Sequence, residues 1–184
     1  MNDLIITQTQ KWIETVIVAH NFCPFAKREM IKRSIQFDVV KDNNIEPCLE
    51  SVILACEELD KHPAIETTLL IFPNGFADFE QYLDLLDLSE RLLEARRYDG
   101  IYQLASFHPE YCFDEAASDD PANYTNRSPY PMLHLLREAT IEQALKNIDA
   151  PESIPLNNIE HARMIGLEAL QKQLENCFER SAIE

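Results

Sequence analysis

Between Ser34 and Phe107 three short strand-like runs alternate with two helix-length amphipathic segments, and this alternation restricts the possible topology more than any other feature of the chain. Ser34 to Val40 alternates apolar and polar residues, the period of a strand buried on one face, and predicts an edge strand. Glu46 to Lys61 carries Leu49, Val52, Ile53, Cys56 and Leu59 on one helical stripe. Thr67 to Phe72 is continuous and apolar towards its end, as in a buried strand, and stops at the turn signal Pro73-Asn74-Gly75. Asp78 to Tyr98 is again amphipathic, with Phe79, Tyr82, Leu83, Leu86 and Leu93 on one face, and Ile101 to Phe107 is the third strand. A parallel return needs a crossover of roughly a dozen residues or more, which both helical segments supply. The expected fold is α/β: a small, mainly parallel sheet of three or four strands flanked by helices, forming a single domain over residues 1–184.

Helical spacing also marks the two ends. Asn2 to His20 places Ile5, Trp12, Ile13, Val16 and Ile17 on one face, and Ile159 to Phe178 reads as a final amphipathic helix. Between the first helix and the first strand, Lys27 to Arg33 predicts a short basic helix with Pro24 in its first turn and Cys23 at its cap. Residues 110–128 have loop chemistry, and a loop of this length in a compact domain is usually functional or disordered.

Composition removes several classes of function. With only Gly75, Gly100 and Gly166, the chain can write neither G-x-G-x-x-G nor a Walker loop, and no cofactor is indicated. A formal charge of −16 repels nucleic acid and acidic membranes, so neither is an expected partner. The five cysteines include no C-x-x-C pair, which predicts reduced thiols. With no signal-like amino terminus and no apolar run near the ~20 residues of a membrane span, the expected location is cytoplasmic.

The candidate site residues come from three places. In open parallel sheets ligands gather beyond the carboxyl ends of the strands, which selects Asn74 and His108; the plain alternatives are a turn and a strand cap. In Thr125-Asn-Arg-Ser-Pro-Tyr-Pro-Met-Leu-His-Leu-Leu-Arg-Glu138, Ser128 suits a helix cap, and Pro129 and Pro131 suit a first turn. A helix from there would align Arg127, Tyr130, His134 and Arg137 on one stripe. Cations ordinarily destabilise a helix amino terminus, so Arg127 points to a carboxylate or phosphate in front of it. The alternative is that Arg127 and Arg137 pair with Glu110, Asp114, Glu115, Asp119 or Asp120. Finally, Lys27, Arg28 and a helix start beside Cys23 would each lower its pKa, the alternative being a packed, inert thiol. Cys56 and Cys177 lie on apolar helix faces and read as core. His108, His134 and Cys112 match no metal-ligand spacing, so no metal is expected.

Asn21-Phe-Cys-Pro-Phe-Ala-Lys27, Phe107-His-Pro-Glu-Tyr111 and Asn123 to Glu138 together resemble the bacterial family called domain of unknown function 1415. The resemblance spans nearly the whole chain, and its last motif is the longest and most specific. It implies no activity. It groups Cys23, Pro24, Lys27, His108, Pro109, Asn126, Arg127, Ser128, Pro129, Pro131, His134 and Arg137, which include most of the residues that spacing and capping select independently.

The leading expectation is an enzyme acting on a small anionic molecule, with Cys23 as nucleophile and His108 or His134 as general acid or base. Lys27, Arg28, Asn74, Asn126, Arg127, Ser128, Tyr130 and Arg137 would bind the substrate. The alternatives are a binding module without turnover and an acidic protein-interaction domain.

Overall fold

Thr67–Ile71, two β-branched threonines followed by an apolar end, is buried at every position and forms an inner strand of a four-stranded sheet. In the computed structural model, which describes residues 1–146 and 148–179, the order of elements is α1 (Asn2–Trp12), α2 (Ala26–Lys32), β1 (Ile35–Val39), α3 (Ile45–Lys61), β2 (Thr67–Ile71), α4 (Phe79–Ala95), β3 (Tyr102–Phe107), β4 (Met132–Arg137), α5 (Glu138–Leu145), α6 (Ile154–Ile165) and α7 (Leu167–Asn176). The strand order is β1-β2-β4-β3, so β1 is at an edge, as its alternation predicts. Asp78 caps α4 by accepting from the Gln81 N–H at 3.0 Å.

The three expected strands are present and run in the same direction, but the sheet is mixed rather than mainly parallel. Only β1 and β2 pair in parallel; β4 lies antiparallel between β2 and β3. The segment expected to be a helix from Ser128 is this strand. Met132, Leu133 and Leu135 are fully buried, on both faces of the sheet, at about 1.5–3 kcal/mol each. Burial on both faces erases the alternation that would have announced a strand.

Two cores flank the sheet. Leu70, Leu133, Leu135 and Tyr102 face α3 and α4. Leu69, Ile71 and Met132 face the first helix, α6 and α7. Beyond Trp12 the first helix widens into π-helical turns over Ile13–Val18, where Ile13, Val16 and Ile17 remain buried; such turns recur at functional sites. The last helix is not continuous: Gly166, at φ 88° and ψ 154°, separates α6 from α7, a conformation open to glycine.

The segment between β3 and β4 is held by its own side chains and contains a 3₁₀ turn, Pro121–Thr125. Fully buried Asn123 accepts from the Phe113 N–H at 3.0 Å and donates to the Ala117 carbonyl at 2.9 Å. Arg163 of α6 binds Asp120 through two contacts, of 3.1 and 2.7 Å. No helix among the described residues is long and apolar enough to cross a membrane.

Candidate functional site

One face of the sheet is not fully covered. Thr67, Leu69, Ala105, Phe107, His134 and Leu136 form the floor of a cavity of about 500 Å³. Trp12, Ile13 and Ile17 make one side, the Phe22–Glu29 corner another, and Ile141 and Ala144 of α5 with Ile154 of α6 close over it. The lining is mainly apolar, and the volume lies within the roughly 300–1,000 Å³ of small-molecule pockets.

Two of the three expected catalytic residues meet here: Cys23 and His134 both line the cavity. His134 gets there by strand geometry. On β4 it stands opposite Leu69 and Ala105, so all three side chains project from one face. Its Nε2 lies 2.6 Å from Thr67 Oγ1, which itself donates to the Leu135 carbonyl at 2.6 Å. Burial pushes the His134 pKa down to about 4, leaving the ring neutral at neutral pH.

Cys23 sits in the corner that follows Asn21, whose φ of 54° turns the chain out of the first helix. The helix behind it starts at Ala26, so Pro24 lies outside it and Cys23 is not its cap. Burial raises the thiol pKa, opposed by the backbone N–H groups of Phe25 and Ala26. Lys27 and Arg28, expected to lower it, act elsewhere. Lys27 is exposed, and Arg28, though at the cavity wall, pairs with Glu29.

Glu29 is a cavity residue that the sequence reading missed. Burial works against its ionisation, yet the Ser34 hydroxyl, Arg28 and Lys32 outweigh that and hold the carboxyl below its ordinary value. Thr67 was missed too, because only the strand order brings it beside His134. The sequence signal for Glu29 was a lone acid within a basic helix.

The remaining candidates hold the fold together around the site. His108 is fully buried: Nε2 donates to the Phe76 carbonyl at 2.8 Å and Nδ1 accepts from the Glu110 N–H at 3.0 Å, so neither ring nitrogen is free. Its ring packs on Phe79 and Tyr82, and burial lowers its pKa. Arg127 is not at a helix start. Its Nε donates to the Tyr111 carbonyl at 3.0 Å, its Nη2 to the Ser118 carbonyl at 2.7 Å, and its guanidinium lies 4.8 Å from the centre of the Tyr124 ring. Neither arginine takes the acid partners considered for it. Arg137 borders the cavity, but its guanidinium turns towards α3, donating to the Leu59 carbonyl at 2.6 Å and the Ile65 carbonyl at 3.1 Å. The four residues expected on one helical stripe are thus dispersed.

Asn126 donates to the Ser106 carbonyl at 3.1 Å, and Ser128 to the Tyr130 carbonyl at 2.6 Å. The Tyr130 hydroxyl donates to Gln8. Asn74 donates to the Lys41 carbonyl at 3.0 Å, while a Cβ on the next residue, Gly75, would stand 3.0 Å from Asn43 Cα, so this turn docks on the loop after β1. None of these four lines the cavity. Among the described residues no group of three or more His, Cys, Asp or Glu is placed to hold a metal.

No curated protein and no solved structure matches the chain. The family signal is by contrast extensive, and its range takes in every strand of the sheet and both Cys23 and His134. The model of the family described as "Protein of unknown function (DUF1415)" matches residues 4–172, and the chain belongs to that family.

Proposed function

We propose that the protein takes a small molecule with a mainly apolar surface into the cavity between the sheet and α5. The observation that carries this reading is the cavity of about 500 Å³, apolar over most of its wall, with Cys23 and His134 among its few polar groups. The expected anionic feature of the ligand rests on Arg28 alone, whose half-exposed guanidinium would be shared between a ligand carboxylate or phosphate and Glu29. Arg127 and Arg137 have their donors engaged by backbone carbonyls.

Calorimetry with a set of small aromatic and aliphatic probes tests the reading. Ala144→Trp, which fills the cavity from α5, should abolish binding seen with the unsubstituted protein. Binding unaffected by Ala144→Trp would place the probes elsewhere and defeat the proposal.

A catalytic reading is favoured by the presence of a thiol and a neutral imidazole in one cavity. As the Cys23 sulfur adds to a ligand carbonyl carbon, its proton would pass to His134 and the C=O π pair to the carbonyl oxygen, giving a tetrahedral oxyanion. Because burial keeps the thiol protonated, substrate binding would have to bring about that transfer.

A further inference from the structure

The tautomer of His134 follows from one hydroxyl proton. Thr67 Oγ1 lies 2.6 Å from the Leu135 carbonyl oxygen and 2.6 Å from His134 Nε2. A carbonyl only accepts, so the threonine proton goes to Leu135; the same hydroxyl can then only accept from His134, whose proton must sit on Nε2. Nδ1 is left with a lone pair. Among the described residues it has no hydrogen-bond partner, and no buried side-chain nitrogen or oxygen there lacks one, so Nδ1 is exposed to the cavity that His134 lines.

We infer that the cavity selects ligands that join an apolar body to a neutral hydrogen-bond donor, a hydroxyl or an N–H, read by His134 Nδ1, with Thr67 as the positioning residue that fixes the acceptor. The inference deepens the proposed function and rests on it. Burial keeps the ring uncharged at neutral pH, so it presents an acceptor and not a cation. Leu69, Phe107 and Leu136, which line the cavity with it, are apolar, so a ligand without a donor that displaces water from the ring leaves Nδ1 unpaired. Thr67→Val would free Nε2 of its acceptor and let the proton move between the two nitrogens.

The test compares 2-naphthol with 2-methoxynaphthalene, which share an apolar body and differ in the donor, by calorimetry on the full chain. The ratio of their affinities should favour 2-naphthol about five- to tenfold, equivalent to one hydrogen bond. The preference should disappear in His134→Phe and shrink in Thr67→Val. Nitrogen NMR of the imidazole in the unsubstituted protein is an independent readout should His134→Phe fail to fold: Nε2 is expected protonated and Nδ1 bare. A ratio that survives His134→Phe, or a proton found on Nδ1, overturns this inference while leaving the cavity reading intact. Failure of the unsubstituted protein to bind either probe would overturn the cavity reading and this inference with it.

Discussion

Ala105→Leu asks whether the space above the sheet is empty. Ala105 lies on β3 opposite His134, on the floor of the cavity. Leucine adds about three carbons, and burying them at ~0.8 kcal/mol each gives about 2.4 kcal/mol. Ordering the longer side chain costs about 0.5–1 kcal/mol, so the variant should be more stable by about 1–2 kcal/mol. In a close-packed region the same change would overfill the site and destabilise by about 1–3 kcal/mol. The two outcomes differ in sign, which makes the experiment decisive. Trp12, the single tryptophan, lines the same cavity and reports urea unfolding by fluorescence. With a slope of about 1–3 kcal/mol per molar urea, the midpoint should rise by roughly 0.3–2 M. The variant should also lose probe binding. A midpoint lower than that of the unsubstituted protein would show that the cavity is not open space, and the argument from it would fail.

Tyr82→Phe removes a fully buried hydroxyl that donates to the Met132 carbonyl at 2.7 Å and accepts from the Phe107 N–H at 3.0 Å, at the end of the β3–β4 ladder; a loss of about 2–4 kcal/mol in urea unfolding is expected, and a loss below about 0.5 kcal/mol would contradict it. His134 is held neutral, so stability is full above pH 6.5 and falls as the unfolded chain takes up a proton below that, until the folded ring protonates near about 4. The loss amounts to roughly 3 kcal/mol; His134→Phe should flatten this part of the pH–stability curve, leaving the share of His108, whose pKa is lowered in the same direction. Cys23, raised by burial, should react with iodoacetamide at a rate still climbing at pH 9, and a plateau by pH 8 would reveal an activated thiolate instead. Arg127→Ala frees the Tyr111 and Ser118 carbonyls, so it should hasten limited proteolysis between residues 108 and 126 while leaving probe binding within about twofold; lost binding with unchanged proteolysis would restore Arg127 to the site.

The sequence made three strands and their two intervening helices legible because each keeps one period over its length. Thr67–Ile71 and Tyr102–Phe107 fall within a residue or two of where punctuation by Pro73-Asn74-Gly75 and Gly100 puts their boundaries. Met132–Arg137 was illegible for the opposite reason: an inner strand buried on both faces has no period, and four polar residues at steps of three and four imitated a helix. The same misreading misplaced the site. On a helix Arg127, His134 and Arg137 would share a face; on β4, His134 and Arg137 point to opposite sides of the sheet. Cys23 and His134 were selected as chemistry, but their common cavity depends on strand order, which periodicity does not encode. The cavity floor also runs along a sheet face, past Thr67 and Gln103 near the amino ends of β2 and β3, and not beyond the carboxyl ends where Asn74 and His108 lie.

The position of β4 also dictates when the chain can fold. Among the described residues β3 pairs with β4 alone, and β2 meets β4 through pairs as distant in sequence as Thr67 and Leu136. A nascent polypeptide that has emerged only through Phe107 therefore leaves the edges of β2 and β3 that β4 covers unpaired, and cannot complete its sheet. Its assembly is deferred until the final strand leaves the ribosome, and over that interval β2 and β3 are exposed to chaperones and to pairing with other chains.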